Sequence, residues 1–349
     1  MIFFKARVLA LATRVLVTGA AGAVGEEALA ELLRRPERYE AVALDLPQWD
    51  VRRRLLPHRR DARIILGDLR DPEVVDRAVA GVDAVLHTAA VIPPRADRDP
   101  ALATAVNVQG TRCLLEALER LGRPVRLIYT SSISVYGDRL ATPWINVDDA
   151  LRPSPHDHYA ETKIQAEALI RASSLPWTIL RLTGVLSHRI GIDPLMFHMP
   201  LETAFESVTA RDTGYALVQA LEVDGLTGRT FNLGGGARFR APYREYLDRH
   251  LTIMGLGAGF LPDTAFAEGN FHCGYFRDSH ELEALLGFQR DGIDDWFRSV
   301  RARVNPVVPL LARATRPLVR RVLLRQSEPL AARRAADRAQ LERFGINGA

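Results

Sequence analysis

The stretch RVLVTGAAGAVG, residues 14–25, decides how the rest of the chain is read. The apolar run Arg14–Thr18 reads as a buried strand, and Val24–Arg35 reads as a helix. Between them Gly19, Gly22 and Gly25 are spaced as G-x-x-G-x-x-G. In a strand–turn–helix setting such glycines have separate tasks. One permits the tight turn, one lets the backbone approach a pyrophosphate, and one lets helix and strand pack closely. The helix start adds N–H groups and the positive end of its dipole. Glycines also suit any tight turn, so it is the flanking strand and helix that favour a dinucleotide.

Working outward, short apolar runs recur at 41–44, 63–66, 84–87, 125–130 and 178–182, with helical patterns at about 100–121 and 158–172. This alternation predicts an α/β fold, a Rossmann-type doubly wound parallel sheet covered on both faces. Asp45 ends the second strand twenty residues after Gly25, where an acid accepts hydrogen bonds from the adenosine ribose and repels a 2′-phosphate. NAD is therefore expected over NADP. Arg52, Arg53 and Arg54 follow, read as a solvated helix face, and keep NADP open. Asp68, in GDLRD, is placed either to meet the adenine edge or to cap the next turn.

After Val185 the alternation loosens. Helices are expected near 213–221, 243–254, 281–286 and 293–300, with one strand at 230–233. The expected organisation is a nucleotide domain over 1–185, a smaller substrate lobe over 186–300 and a basic tail over 301–349. The tail holds eleven arginines and three acidic residues, punctuated by Pro306, Pro309, Pro317 and Pro329. It reads as helices packed on the body or on a second subunit, as an interfacial helix giving weak membrane-surface contact, or as a poorly ordered end.

Net charge is +4, and most of the positive excess sits in that tail, so nucleic acid is not an expected partner. Two cysteines make no disulfide framework, and no metal site is expected. The opening MIFFKARVLALATRVLVTG resembles a secretory signal, but Lys5, Arg7 and Arg14 interrupt it. A reducing cytoplasm is the expected compartment. No apolar run reaches the length of a membrane span.

Tyr159 and Lys163 stand at i and i+4 in YAETK, which stacks them on one helix face. A tyrosine with a pKa of about 10 is a poor base at neutral pH, and a nearby ammonium stabilises its phenolate. Lowering it by ~3 units takes ~4 kcal/mol, shared between Lys163 and a cationic nicotinamide. Of 46 basic residues only Lys5 and Lys163 are lysine, so a lysine here is not background. Ser132 lies just past the fifth strand, at the sheet edge where ligands bind, with Ser131 beside it. Serines there also satisfy backbone groups at a strand end.

Taken in order, TGAAGAVG (18–25), GDLRD (67–71), HTAA (87–90), NVQGT (107–111), YTSSISVYG (129–137), YAETK (159–163) and LRLTGV (180–185) resemble the extended short-chain dehydrogenase/reductase family. The resemblance covers about 14–300 and implies an NAD-dependent enzyme. It implies Tyr159 as acid/base, Lys163 on the nicotinamide ribose and Ser132 orienting the substrate oxygen. It puts Gly19, Ala21, Gly22, Ala23, Val24, Gly25, Asp45, Asp68, Leu69, Thr88, Ala89, Ala90 and Thr130 at the cofactor, and Ile92, Ser132 and Gly184 at the substrate. Asn107 would be structural or part of a proton path. The family also implies a homodimer through the helices around 100–121 and Tyr159.

Departures from the family pattern narrow the branch. Sugar-nucleotide dehydratases carry an acidic pair beside the serine; here the positions are Ile133 and Ser134. Gly184 and LSHRIG replace the usual asparagine turn, and Arg211–Asp212 follows after only about 25 residues, short for a segment gripping a diphosphate. Pocket walls are expected from Ile92–Arg95, His188–Met199 and Phe271–Phe276, and His156, His158, His198 and His272 are read as structural. The expected function is hydride transfer between NAD and a secondary alcohol or ketone of a small metabolite. A cofactor-retaining nucleotide-sugar epimerase and a non-catalytic NAD-binding regulator are the alternatives.

Overall fold

A computed structural model describes residues 12–188 and 194–346. Residues 1–11 of the signal-like start and the segment Arg189–Gly191 of LSHRIG lie outside these residues. Seven strands form one parallel sheet: β1 (Thr13–Thr18), β2 (Tyr39–Asp45), β3 (Ala62–Leu66), β4 (Ala84–His87), β5 (Arg126–Ser132), β6 (Trp177–Leu182) and β7 (Arg229–Leu233). Their order is β7-β6-β5-β4-β1-β2-β3. The chain reverses its direction of winding between β1 and β4, and a crevice opens at the carboxyl ends of those strands. Val15, Val17, Ala41 and Ala43 face one buried layer, while Leu16, Val42, Leu44 and Val85 face the other. Burial on both faces explains why these strands read as continuous apolar runs.

Three differences from the sequence reading matter. The span 100–121 is not one regular helix. Pro100–Thr104 and Thr111–Arg120 are separated by a wider π-type turn over Ala105–Gly110. That turn aims Asn107 at the loop after β4. A helix over Pro72–Val79 was not expected, although Asp71 accepts from the Glu73 amide and Pro72 sits at its first turn. Finally, Arg229–Leu233, within the span expected to build the lobe, returns to the main sheet as its edge strand.

The helix His158–Ala172 is fixed from behind by a buried ion pair. Arg181 on β6 donates to Glu167 through Nε at 2.9 Å and Nη2 at 2.8 Å. Ser131 on β5 donates to the same carboxylate at 2.6 Å. Arg181 also donates to the Tyr136 hydroxyl at 2.8 Å, and Tyr136 donates to Asn232 on β7 at 2.8 Å. This chain crosses three strands beneath the site and holds the Glu167 carboxyl below the usual carboxylate range, chiefly through Arg181, against the opposing effect of burial. Glu167 is 2% exposed and Arg181 3%, so neither charge has water to fall back on.

The second half adds an apolar core of its own, built from Phe197, Phe205, Tyr243, Leu251, Phe260 and Phe266. The tail is helical over Val307–Ala314, Arg316–Leu324, Glu328–Ala335 and Arg338–Arg343. Removing one partner of a buried pair strands the other, so Glu167→Gln is expected to lose about 3–5 kcal/mol of stability. Urea unfolding measures it, and a loss under about 1 kcal/mol would show that the pair does not anchor this helix.

Candidate active site

The glycine turn is tight for a visible reason. Gly19 has φ +66°, a region that disfavours side chains, and a Cβ there would lie 2.7 Å from Ala89 Cα. The turn is therefore pressed against the start of the loop after β4. Thr88 ties the two together by donating to the Thr18 carbonyl at 2.7 Å. Gly22 caps the helix Ala23–Leu33 with no side-chain hydrogen bond, so the first turn presents backbone rather than a competing side chain.

A groove of about 550 Å³ runs from this turn across the sheet edge. Gly19, Ala21, Gly22, Asp45, Asp68, Leu69, Thr88, Ala89, Ala90 and Ile92 line it, and Ala23, Val24 and Gly25 begin the helix at its end. Asp45 accepts from the amides of Ala21 at 2.8 Å and Leu46 at 2.7 Å. Burial raises its pKa, against those two hydrogen bonds. Asp68 accepts from the Arg70 amide at 2.9 Å and pairs with the Arg70 guanidinium at 2.6 Å, so it organises its own turn while facing the groove. The reading of Arg52–Arg54 as a solvated face fails for Arg54. It donates to the Ala21 carbonyl at 2.7 Å, pairs with Asp50 and lines the groove beside Asp45.

Ser132, Tyr159 and Lys163 stand beside the groove rather than in its lining, and Val91, which lines it, packs against Tyr159. Ser132 ends β5, while Tyr159 and Lys163 lie one turn apart on the helix His158–Ala172. Burial pushes Tyr159 well above the ordinary tyrosine value, and the neighbouring Ser132 hydroxyl, which favours the ionised phenol, only partly offsets this. Asp157 pushes it the same way as burial. Lys163 is 2% exposed, and burial pulls its ammonium down to about 7, with Glu167 opposing. Its Nζ donates to the Thr130 carbonyl at 2.8 Å and lies 5.7 Å from the Tyr159 ring centre. Lys163 thus shares a helix face with Tyr159 without bonding to its hydroxyl.

Three buried residues behind the site, His87, Glu167 and Arg181, have no role in the sequence reading. His87 is held between Thr18 Oγ1 at 2.7 Å and Thr111 Oγ1 at 2.9 Å, and burial keeps it neutral, with its pKa lowered to about 3. The Glu167–Arg181 pair lies behind the Tyr159 helix; His87 and Arg181 fall within the quoted HTAA and LRLTGV stretches, but Glu167 lies in no motif. Asn107 accepts from the Val91 amide at 2.7 Å and donates to the Val91 carbonyl at 3.0 Å and to Thr162 at 2.9 Å. It clamps the loop carrying Ala90 and Ile92 to the Tyr159 helix.

Near the start of the Tyr159 helix, a small cavity of about 50 Å³ is lined by Pro93, Asp97, Asp157, Leu195, His198 and Phe271 among others. The expected walls meet here, although Gly184 lies apart on a short strand against Phe205. Unexpectedly, the tail completes the cavity with Arg343 and Phe344. Arg343 pairs with Asp97 at 3.1 Å, and Glu328 pairs with His198 at 3.0 Å. Asp157 caps the Tyr159 helix by accepting from Ala160 at 2.9 Å and pairs with His272 at 2.9 Å.

A lysine ammonium with a lowered pKa costs stability in full below about 7, and the cost fades as pH rises towards the unfolded value near 10.5. Lys163→Met is therefore expected to raise the melting temperature of the cofactor-free protein at pH 7 by at least about 2 °C, with the gain shrinking by pH 10. A lower melting temperature at pH 7 would contradict this.

Residues 15–199 match the model of the NAD dependent epimerase/dehydratase family. Over 165 residues the chain is 35% identical to D-erythronate dehydrogenase of Cupriavidus necator, covering 45% of this chain and 49% of that protein. Over 170 residues it is 36% identical to 3 beta-hydroxysteroid dehydrogenase/Delta 5-->4-isomerase of Mycobacterium tuberculosis, covering 46% and 43%. The chain spans about half the length of the curated relatives it matches. Among solved structures, a dTDP-glucose 4,6-dehydratase from Streptomyces venezuelae with NAD bound superposes with TM-score 0.70 at 27% identity, covering 83% of this chain and 96% of that one. With the family model spanning more than half its length, the chain belongs to the NAD dependent epimerase/dehydratase family.

Proposed function

We propose that this protein is an NAD(H)-dependent oxidoreductase acting on a secondary alcohol, or the matching ketone, of a small metabolite. One observation carries the reading: Ser132 and Tyr159 lie close together, with Lys163 buried one turn on, beside the groove through Val91. The groove fits the cofactor because a Cβ would fill the turn at Gly19 and because no side chain caps the helix beyond Gly22. Gly19, Ala21 and Gly22 would hold the pyrophosphate, Asp45 the adenosine ribose, and Lys163 the nicotinamide ribose. When bound, NAD supplies the hydride acceptor and a positive charge beside Tyr159.

The chain's own residues manage the proton. Ser132 donates a hydrogen bond to the substrate oxygen and holds it at the Tyr159 hydroxyl. In oxidation, Tyr159 as phenolate accepts the hydroxyl proton; in reduction, protonated Tyr159 donates it. Burial favours protonated Tyr159, so its ionisation depends on positive charge brought close to it. A dehydration needs a second acid/base pair, and the positions beside Ser132 hold Ile133 and Ser134, both buried. The nearby carboxylate Asp157 caps its helix through Oδ1, and its Oδ2 lies 2.9 Å from His272 Nδ1.

Removing the proton-transfer group while keeping the ring tests the roles. Tyr159→Phe is expected to cut turnover on the best substrate of an alcohol and ketone panel by about a thousandfold, with NAD affinity within about threefold of the parent. Turnover equal to the parent's would remove Tyr159 from the mechanism.

A further inference from the structure

The tail helices Val307–Ala314 and Arg316–Leu324 have two unlike sides. One packs on the second core through Ala312, Val319 and Leu323, and Arg316 lies over the Phe260 ring at 5.3 Å. The other is open: Leu310 is 63% exposed, Leu311 59%, Leu318 61%, and Val307 and Val322 are also exposed. Large aliphatic side chains at such exposure, on consecutive helices already anchored by another stripe, form a contiguous apolar surface rather than scattered single residues.

Charge decides what covers it. Residues 301–327 contain seven arginines and no aspartate or glutamate. Arg313, Arg320, Arg321 and Arg325 are exposed among the aliphatic residues, and among the described residues none of the four forms an ion pair. A second copy docked on this face would set these arginines against their own equivalents. An acidic lipid surface instead neutralises the arginines while the aliphatic residues enter its interface. We propose that the helices Val307–Ala314 and Arg316–Leu324 form a peripheral docking face for an anionic membrane surface.

The docking face is continuous in sequence with the segment that closes the small cavity at the start of the Tyr159 helix, since the same tail continues into Glu328 and Arg343. The helices are far too short to span a bilayer, and among the described residues no helix is long and apolar enough to cross one. The contact is therefore lateral and reversible.

Co-sedimentation with vesicles tests it, using about 30 mol% phosphatidylglycerol in phosphatidylcholine against pure phosphatidylcholine. The full chain is expected to bind the anionic vesicles at low salt, and to lose that binding in high salt or on pure phosphatidylcholine. Leu310→Glu with Leu318→Glu, at exposed positions, should reduce binding at least tenfold at unchanged melting temperature. Arg320→Gln with Arg321→Gln should reduce it by about fivefold for each arginine and provides a second route should the first variant fail to fold. No binding to anionic vesicles, or binding unaffected by both variants, overturns the proposal. So does a wild-type dimer in sedimentation velocity that the leucine variant dissolves while vesicle binding is absent, because the face would then be a subunit interface.

Discussion

The close approach of Gly19 to Ala89 is the constraint on which the rest of the site depends. It occurs where the sheet reverses its winding, between β1 and β4, and it brings the first turn against the loop after β4. Thr88 and His87 then tie those strands and the helix Thr111–Arg120 together through Thr18 and Thr111. Asn107 carries the same restraint to Val91 and on to Thr162 beside Tyr159. A side chain at Gly19 would push these layers apart, so one residue's freedom of backbone sets the width of the groove.

Burial governs the electrostatics beside the groove. It lowers His87 and Lys163 and raises Tyr159, so all three are driven towards their neutral forms. The opposing influences are local: Glu167 for Lys163, and Ser132 for Tyr159. Glu167 is in turn kept charged by Arg181, which makes the buried pair a positioning device as well as an anchor. In such a site a positive charge brought close to Tyr159 would favour its ionised form.

Much of this was legible in the sequence because it is local. The glycine spacing, the i, i+4 pair of Tyr159 and Lys163, and the strands around them each declare themselves within a few residues, and β4 and the Tyr159 helix lie where the pattern puts them. What was hidden depends on distant partners. Glu167 looks like an ordinary helix-surface acid until β6 brings Arg181 beneath it. Arg54 looks solvated until its helix leans over Ala21. The tail's cover over the cavity depends on Arg343 meeting Asp97, a pairing across 246 residues that no periodicity encodes. The π-type turn at Ala105–Gly110 was missed because its residues are compatible with a regular helix and only the demand on Asn107 shows otherwise.

An oxidoreductase of the proposed kind releases and rebinds its cofactor in each cycle, whereas an epimerase retains it. Mass spectrometry of the nucleotide released on denaturing extensively dialysed protein tests this distinction most directly. The account predicts little nucleotide after dialysis and saturable rebinding of added NAD. Near-stoichiometric NAD surviving dialysis would contradict it, and would mean that the hydride returns to the same substrate on a retained cofactor, as in an epimerase.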